Sequence, residues 1–323
     1  MREIRVREFG GSEVLVPVDA PDPRPGEGQV VIGVTAVDTI FVETQIRGGK
    51  ARDWFPVEPP YVPGAGAGGH VTAIGPGVDP AWTGRAVITR AAVNGSYADQ
   101  VLSPADALVA VPDGLDLREA TALAHDGTTT MALFGQGGIR AGEWVLITAA
   151  AGGMGLLLVQ LARAAGARVI GAARGTRKLA LVRELGAEVV VDYTEPGWTD
   201  EVRKATGGAG VDVLWDGAGG AIGTAAFEVA ADGARVSAHG APGDAFAPLD
   251  PADAARRNIT LTGIADLQLT PEEAVRRLAE AVEAAAAGRM RPHISRTFPL
   301  ERAADAHAAI ENREIIGKAL LLA

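Results

Sequence analysis

The run Trp144–Gly155, Trp-Val-Leu-Ile-Thr-Ala-Ala-Ala-Gly-Gly-Met-Gly, constrains the fold more than any other stretch of this chain. A short, wholly apolar segment reads as a strand covered on both faces. Glycines then turn the chain into an apolar helix from about Leu156 to Ala165, which stops at Gly166. The same rhythm repeats downstream. Strands are expected at Arg168–Ala173, Glu188–Asp192, Val211–Asp216, Ala234–Ala238 and Ile259–Gly263. Helices are expected at Thr176–Leu185, near Trp198–Thr206 and near Ala221–Ala230. Strands that alternate with helices through short glycine-marked connections predict a parallel, doubly wound sheet of the Rossmann type.

The chain before residue 120 has a different grain. Gln29–Ala36, His70–Ile74, Arg85–Thr89 and Ala107–Val111 read as short strands broken by glycine and proline, an all-β pattern. Pro17, Pro21, Pro23 and Pro25 separate the opening strands. After the α/β run, the tail predicts a helix over Pro271–Ala287, a strand over Ile294–Phe298, a helix over Leu300–Asn312 and a strand over Lys318–Leu322. Periodicity leaves open which domain the tail joins.

The glycine loop carries the first chemical signal. Its glycines let backbone approach a pyrophosphate, whose charge a helix N-terminus holds. A plain tight turn is the alternative, but the strand–loop–helix–strand context is the one a dinucleotide site requires. The second strand then decides which dinucleotide. An NAD site places an acid at its end, against the ribose 2′-hydroxyl. Here the chain reads Gly171-Ala-Ala-Arg174-Gly-Thr-Arg177-Lys178, with three cations and no acid. Cations attract a 2′-phosphate where a carboxylate would repel it, so NADPH is the expected cofactor. A solvated helix N-terminus is the alternative for these cations.

Composition removes several other classes. With 323 residues the chain is long enough for two domains. It has no cysteine, which excludes disulfides, thiol catalysis and thiolate metal sites. Its net charge is −10 and no basic run occurs, which argues against nucleic acid as a partner. No apolar run approaches the ~20 residues of a membrane span, and Met1-Arg-Glu-Ile-Arg-Val lacks the apolar core of a leader peptide. A cytoplasmic location is expected.

From Ala149-Ala-Ala-Gly-Gly-Met-Gly155 outward, the chain resembles the zinc-independent quinone oxidoreductases of the medium-chain dehydrogenase/reductase superfamily. The loop is similar to that branch's Ala-Ala-Gly-Gly-Val-Gly. Phe41-Val-Glu-Thr-Gln-Ile-Arg47-Gly48 resembles its Phe-Ile-Asp-Thr-Tyr-Ile-Arg-x-Gly segment. Val62-Pro-Gly64 with Ala67-Gly68-Gly69, Gly95-Ser-Tyr-Ala-Asp99 and Val211-Asp-Val-Leu-Trp-Asp216 extend the likeness over nearly the whole length. The resemblance implies a GroES-like β-rich catalytic domain at 1–122, an NADPH-binding Rossmann domain at 123–265, and a return to the catalytic domain at 266–323. It also implies a homodimer acting on a small quinone or enone.

Site residues follow from the same resemblance. Lys178, Tyr193 and Arg313 match the lysine, tyrosine and C-terminal arginine that grip the 2′-phosphate, with Arg174 beside them. Ala151, Gly152, Gly153 and Met154 match the pyrophosphate loop. Thr129 matches a threonine near the nicotinamide. Gly217 and Ala218, and Gly240 and Ala241, match loops lining the cofactor crevice. For the acceptor, candidate donors are Gln45, Tyr61 and Thr129. Arg47 is expected in a structural salt bridge.

Three departures fall on the acceptor side. Ile40 replaces the family's asparagine, Gln45 replaces its tyrosine, and Gly66 replaces the acid of its Pro-Gly-x-Glu turn. Ile40 and Gln45 are expected to face the nicotinamide. With no cysteine and no acid at 66, the zinc site of the related alcohol dehydrogenases has no ligand set, and the five histidines show no metal-ligand spacing. His125-Asp126, just before Gly127-Thr-Thr129, is a further candidate for the acceptor site. The expected activity is hydride transfer from NADPH to a quinone or α,β-unsaturated carbonyl. A polyketide-type enoyl reductase and a non-enzymatic, crystallin-like NADPH binder are the alternatives.

Overall fold

The structure, a computed structural model, describes residues 1–50, 52, 54–90, 95–242 and 245–323. The chain divides into two compact units, Met1–Thr128 with Leu269–Ala323, and Thr129–Gln268.

The first unit opens with the antiparallel pair β1 (Arg2–Val6) and β2 (Leu15–Asp19). Then come β3 (Gln29–Asp38), α1 (Phe41–Arg47), β4 (Ala67–Ile74), β5 (Ala86–Thr89), β6 (Gln100–Pro104) and β7 (Leu108–Ala110). Two helices follow, α2 (Leu117–Thr121) and α3 (Asp126–Gly137), and the boundary between the units falls inside α3. The all-β expectation for this region misses α1. Its Val42, Thr44 and Ile46 favour strands locally. Burial of Glu43, Thr44, Ile46 and Arg47 along one side makes the segment helical instead.

The second unit is a six-stranded sheet, parallel throughout. Its elements are β8 (Trp144–Ile147), α4 (Gly153–Ala164), β9 (Arg168–Ala173), α5 (Thr176–Glu184), β10 (Val189–Asp192) and α6 (Trp198–Ala205). They continue with β11 (Val211–Asp216), α7 (Gly220–Phe227), β12 (Ala230–Ala238), α8 (Pro251–Arg256) and β13 (Thr260–Gly263). The strand order β10-β9-β8-β11-β12-β13 is the doubly wound one, which reverses between β8 and β11 and opens a crevice at their C-terminal ends. Leu146, Ile170, Leu214 and Val236 fill the core beneath it. All four residues of β8 are buried, as its run of large apolar side chains requires.

The chain then returns to the first unit through α9 (Pro271–Ala286), β14 (Ile294–Pro299), α10 (Ala303–Glu311) and β15 (Lys318–Leu322). Thr270 caps α9, accepting the Glu273 N–H, while Glu273 accepts the Thr270 N–H. In the seven-stranded sheet the order is β14-β15-β3-β4-β5-β7, with β6 also on β3. The last strand of the chain therefore lies between β14 and β3.

Candidate active site

In the second unit, loops gather at the reversal point of the sheet. Ala151 and Gly152 lie in the loop after β8, and Gly153 and Met154 begin α4. No described side chain caps this twelve-residue helix. Ala149 has a φ of 49°, a left-handed conformation that costs about 1–2 kcal/mol for a residue with a Cβ. Its carbonyl accepts the Gly152 N–H, and a Cβ at Gly155 would lie 2.5 Å from that same oxygen. The turn is thus wound too tightly for any side chain at Gly155. The backbone is arranged as a cradle for a small anionic group at a helix N-terminus.

Thr148 and Asp216 fix the neighbouring loop. The Thr148 hydroxyl donates to Asp216 Oδ1 at 2.6 Å and accepts the Gly217 and Ala218 N–H groups. The Asp216 carbonyl takes the N–H groups of His239 and Gly240, so the loop with Gly240 and Ala241 lies alongside. His239 is buried there. Burial pushes its pKa down to about 4, with Asp216 pulling the other way, so it is neutral at physiological pH.

The strand ends of β9 and β10 also meet. Arg174, exposed, follows β9, and Lys178 lies on α5. Tyr193 follows β10 and packs on the core. The acid nearest this corner, Asp192, is not at the end of β9. Its two oxygens accept the N–H groups of Gly175 and Thr194 and the Thr194 hydroxyl, which hold the loop in place. These bonds and the charge of Arg174 outweigh burial and keep its pKa low. Sequence reading along β9 misses this acid because it comes from the adjacent strand.

In the first unit, Ile40 precedes α1 and is 9% exposed. Isoleucine cannot cap a helix, and Glu43 reaches back to accept its N–H. Gln45 is partly buried and donates to the Thr44 hydroxyl at 3.1 Å. Arg313, from the turn after α10, lies over the Phe41 ring at 4.8 Å. Thr129 belongs to the second unit and is partly buried on α3. Tyr61 pairs its backbone with Val6, while its hydroxyl is buried without a hydrogen-bond partner among the described residues. Burial beside Glu43 pushes its pKa up to about 12.

Glu43 anchors a buried polar chain. Its oxygens accept the Ile40 and Ala65 N–H groups and the Tyr97 hydroxyl, the last at 2.7 Å. Tyr97 in turn lies 2.8 Å from His307 Nε2, so that nitrogen carries the proton and donates. Arg47 reaches His307 Nδ1 at 3.5 Å and forms a salt bridge with Glu311. Burial pushes Glu43 up to about 7 and His307 down to about 3. Arg47 thus has the structural role expected of it.

A second buried group went unseen in the sequence. Lys318 Nζ lies 2.5 Å from Asp38 and 3.0 Å from Asp126, and donates to the Thr39 carbonyl. Burial opposes its charge, but Asp126 and Asp38 outweigh that and hold the ammonium above the ordinary lysine range. Asp38 is pushed up to about 6 by burial. No local pattern links residues this far apart in the chain.

Among the described residues, no three His, Cys, Asp or Glu side chains cluster as a metal site, and the chain holds no cysteine. Gly66 adds no donor. Together these leave no zinc ligand set among the described residues. The residues present do fit a dinucleotide, through the α4 N-terminus and its glycine cradle.

Comparison with known proteins agrees with this architecture. Residues 26–113 match the family described as alcohol dehydrogenase GroES-like domain, and residues 153–283 that described as zinc-binding dehydrogenase. The chain is 33% identical to a quinone oxidoreductase of Sus scrofa over 328 residues, covering 100% of this chain and 98% of that protein. It is 32% identical to a 2-haloacrylate reductase of Burkholderia sp over 331 residues, covering 98% of this chain and 97% of that protein. Among solved structures, a mycobacterial protein complexed with NADPH aligns with a TM-score of 0.90 at 33% identity, covering both chains completely. Escherichia coli quinone oxidoreductase complexed with NADPH aligns at 0.91 and 26%, again over both whole chains. Fold and site together are those of an oxidoreductase of the medium-chain dehydrogenase/reductase superfamily. Within it, the chain belongs to the quinone oxidoreductase family.

Proposed function

We propose that this chain is an NADPH-dependent, zinc-independent reductase that transfers hydride to a quinone or an α,β-unsaturated carbonyl. The observation that carries the reading is the corner after β9. Arg174 stands where an NAD site needs an acid, and the nearest carboxylate, Asp192, is engaged by Gly175 and Thr194. Lys178 and Tyr193 flank that corner, and Arg313 is the proposed third grip on the 2′-phosphate. The glycine loop would hold the pyrophosphate through Ala151, Gly152, Gly153 and Met154. Gly217, Ala218, Gly240 and Ala241 would line the crevice, with Thr129 near the nicotinamide.

NADPH, when bound, supplies the hydride. The chain's share is to orient two planar reactants, exclude water and stabilise the oxyanion that forms on the acceptor. Ile40 and Gln45 are proposed to shape the acceptor's surroundings. A buried isoleucine in place of a polar donor favours bulkier, more apolar acceptors than a small quinone. The β-rich unit is proposed to hold the acceptor and the doubly wound unit the cofactor.

The test combines titration and assay. NADPH should bind far more tightly than NADH, and NADPH oxidation should occur with a quinone or enone and survive EDTA. Equal affinities for the two cofactors, or one tightly bound zinc per chain, would overturn the reading.

A further inference from the structure

Position 66, where the resemblance implies an acid, is glycine in this chain. In the β4–β5 ladder Ala67 lies opposite Thr89, so Gly66 and Arg90 are the next residues off the paired ends. A Cβ at Gly66 would sit 2.6 Å from Ala124 Cβ, 3.5 Å from Asp38 Cβ and 3.7 Å from the Thr89 carbonyl. The Gly66 carbonyl accepts the Asp38 N–H, and Asp38 Oδ2 accepts the His125 N–H at 3.1 Å. One end of the first unit's sheet therefore brings together Gly66, Arg90, Asp38 and His125.

Two polar side chains there lack partners among the described residues. Arg90 is partly buried and makes no hydrogen bond or ion pair within the described residues. Asp38 is the carboxylate whose charge it feels, and Asp38 is already bound to Lys318 and the His125 N–H. Burial lowers the pKa of Arg90, with Asp38 opposing, so desolvation of the guanidinium is only partly offset. His125 Nδ1 is buried with no partner within the described residues. A proton on that nitrogen would leave a buried donor unsatisfied, so the proton belongs on Nε2. Burial, then Arg90, push the pKa of His125 down to about 3, so the ring is a neutral single donor across the working range.

We propose that Arg90, with His125 Nε2–H beside it, is an acceptor-recognition pair that selects an acceptor bearing a carboxylate. The guanidinium offers two parallel N–H donors to such a group and the imidazole a third. With glycine at position 66, no side chain comes from the residue that follows the ladder on β4. Ile40 lies two residues beyond Asp38, so the pair stands at the end of the unit where the acceptor is placed above. The inference rests on that placement.

The test uses the full chain, with 4-oxo-2-pentenoate and its methyl ester as matched enones and NADPH as donor. The free acid should show the lower KM. Arg90→Gln should raise the acid's KM by about tenfold to hundredfold, the loss of one charge-assisted pair, and move the ester's far less. Arg90→Lys should recover part of that, and His125→Ala should give a smaller change in the same direction. As a readout without turnover, calorimetry should find the saturated analogue 4-oxopentanoate binding the wild type and failing to bind Arg90→Gln. If Arg90→Gln shifts acid and ester alike and lowers thermal stability, Arg90 is only a counter-charge for Asp38, and the proposal falls. Binding of 4-oxopentanoate that depends on Arg90, with no enone or quinone reduced, supports the anion site and overturns the reductase reading. Reduction of the ester with no preference for the acid sinks the recognition pair and leaves the reductase intact.

Discussion

The two units build their sites from different materials. In the doubly wound unit the cradle for the pyrophosphate is mostly backbone: a helix N-terminus with no cap from a described side chain, a loop wound around Gly155, and two loops tied together by Thr148 and Asp216. They come from one contiguous stretch, Thr129–Gln268. In the β-rich unit the corresponding end is made of side-chain charge. Asp38, Arg90, Asp126 and Lys318 meet there from four separate segments. A pyrophosphate is the same in every dinucleotide, and main-chain N–H groups suffice to hold it. An acceptor differs from enzyme to enzyme, and only side chains can encode the difference. The departures at Ile40, Gln45 and Gly66 all fall in the unit built from side chains.

The strongest way to break this contrast is to remove the charge that organises one side only. Lys318→Met leaves Asp38 and Asp126 buried without their cation and should cost about 3–5 kcal/mol in urea unfolding. A loss under about 1 kcal/mol, the range of exposed pairs, would mean that the group is solvated and the contrast overdrawn.

A pH dependence should also belong to the β-rich unit. Glu43 is raised by burial from 4.5 to about 7 in the folded state. A carboxyl with a raised folded pKa contributes stability at low pH that is lost as pH climbs from its unfolded value through its folded one. The wild type should therefore lose up to about 3 kcal/mol relative to Glu43→Gln between those two values. Parallel stability curves for the two proteins would show that the three donated bonds to Glu43 offset its burial completely.

On the cofactor side, Arg174→Glu with Lys178→Glu should weaken NADPH about a hundredfold by fluorescence titration, as expected for lost charge-assisted contacts, and leave NADH almost unaffected. An equal loss for both dinucleotides would place the cations away from the 2′-phosphate. The finest test is Ile40→Asn, expected to raise kcat/KM for a small quinone about tenfold, the worth of one hydrogen bond, with NADPH affinity nearly constant. No change with any acceptor would confine Ile40 to packing.

The same contrast explains how much the sequence disclosed. Strands Arg168–Ala173, Val211–Asp216 and Lys318–Leu322 have the bounds their apolar runs suggest. The glycine loop and the cations after β9 were equally legible, because each is local. Helix α3 was not, since Thr128-Thr129-Thr130 is a β-branched run that tertiary burial overrides. β12 begins at Ala230, four residues before the expected start, because its partner β11 pairs with a shift between Val211 and Val213. Lys318 with Asp38, and Arg90 opposite Gly66, needed the sheet register before they could be seen.

The position of β15 has a consequence for the order of manufacture. Chains emerge from the ribosome N-terminus first and fold unit by unit. The doubly wound unit is contiguous and has all its strands once residue 263 is out. The β-rich unit begins earlier yet finishes last, because β15 must enter between β14 and β3 and deliver Lys318 to two carboxylates already waiting on upstream segments. During synthesis the nascent chain should therefore acquire its nucleotide-binding fold before its acceptor end exists. Ribosome-bound chains stalled before Lys318 would bind dinucleotide while the β-rich half remained protease-sensitive.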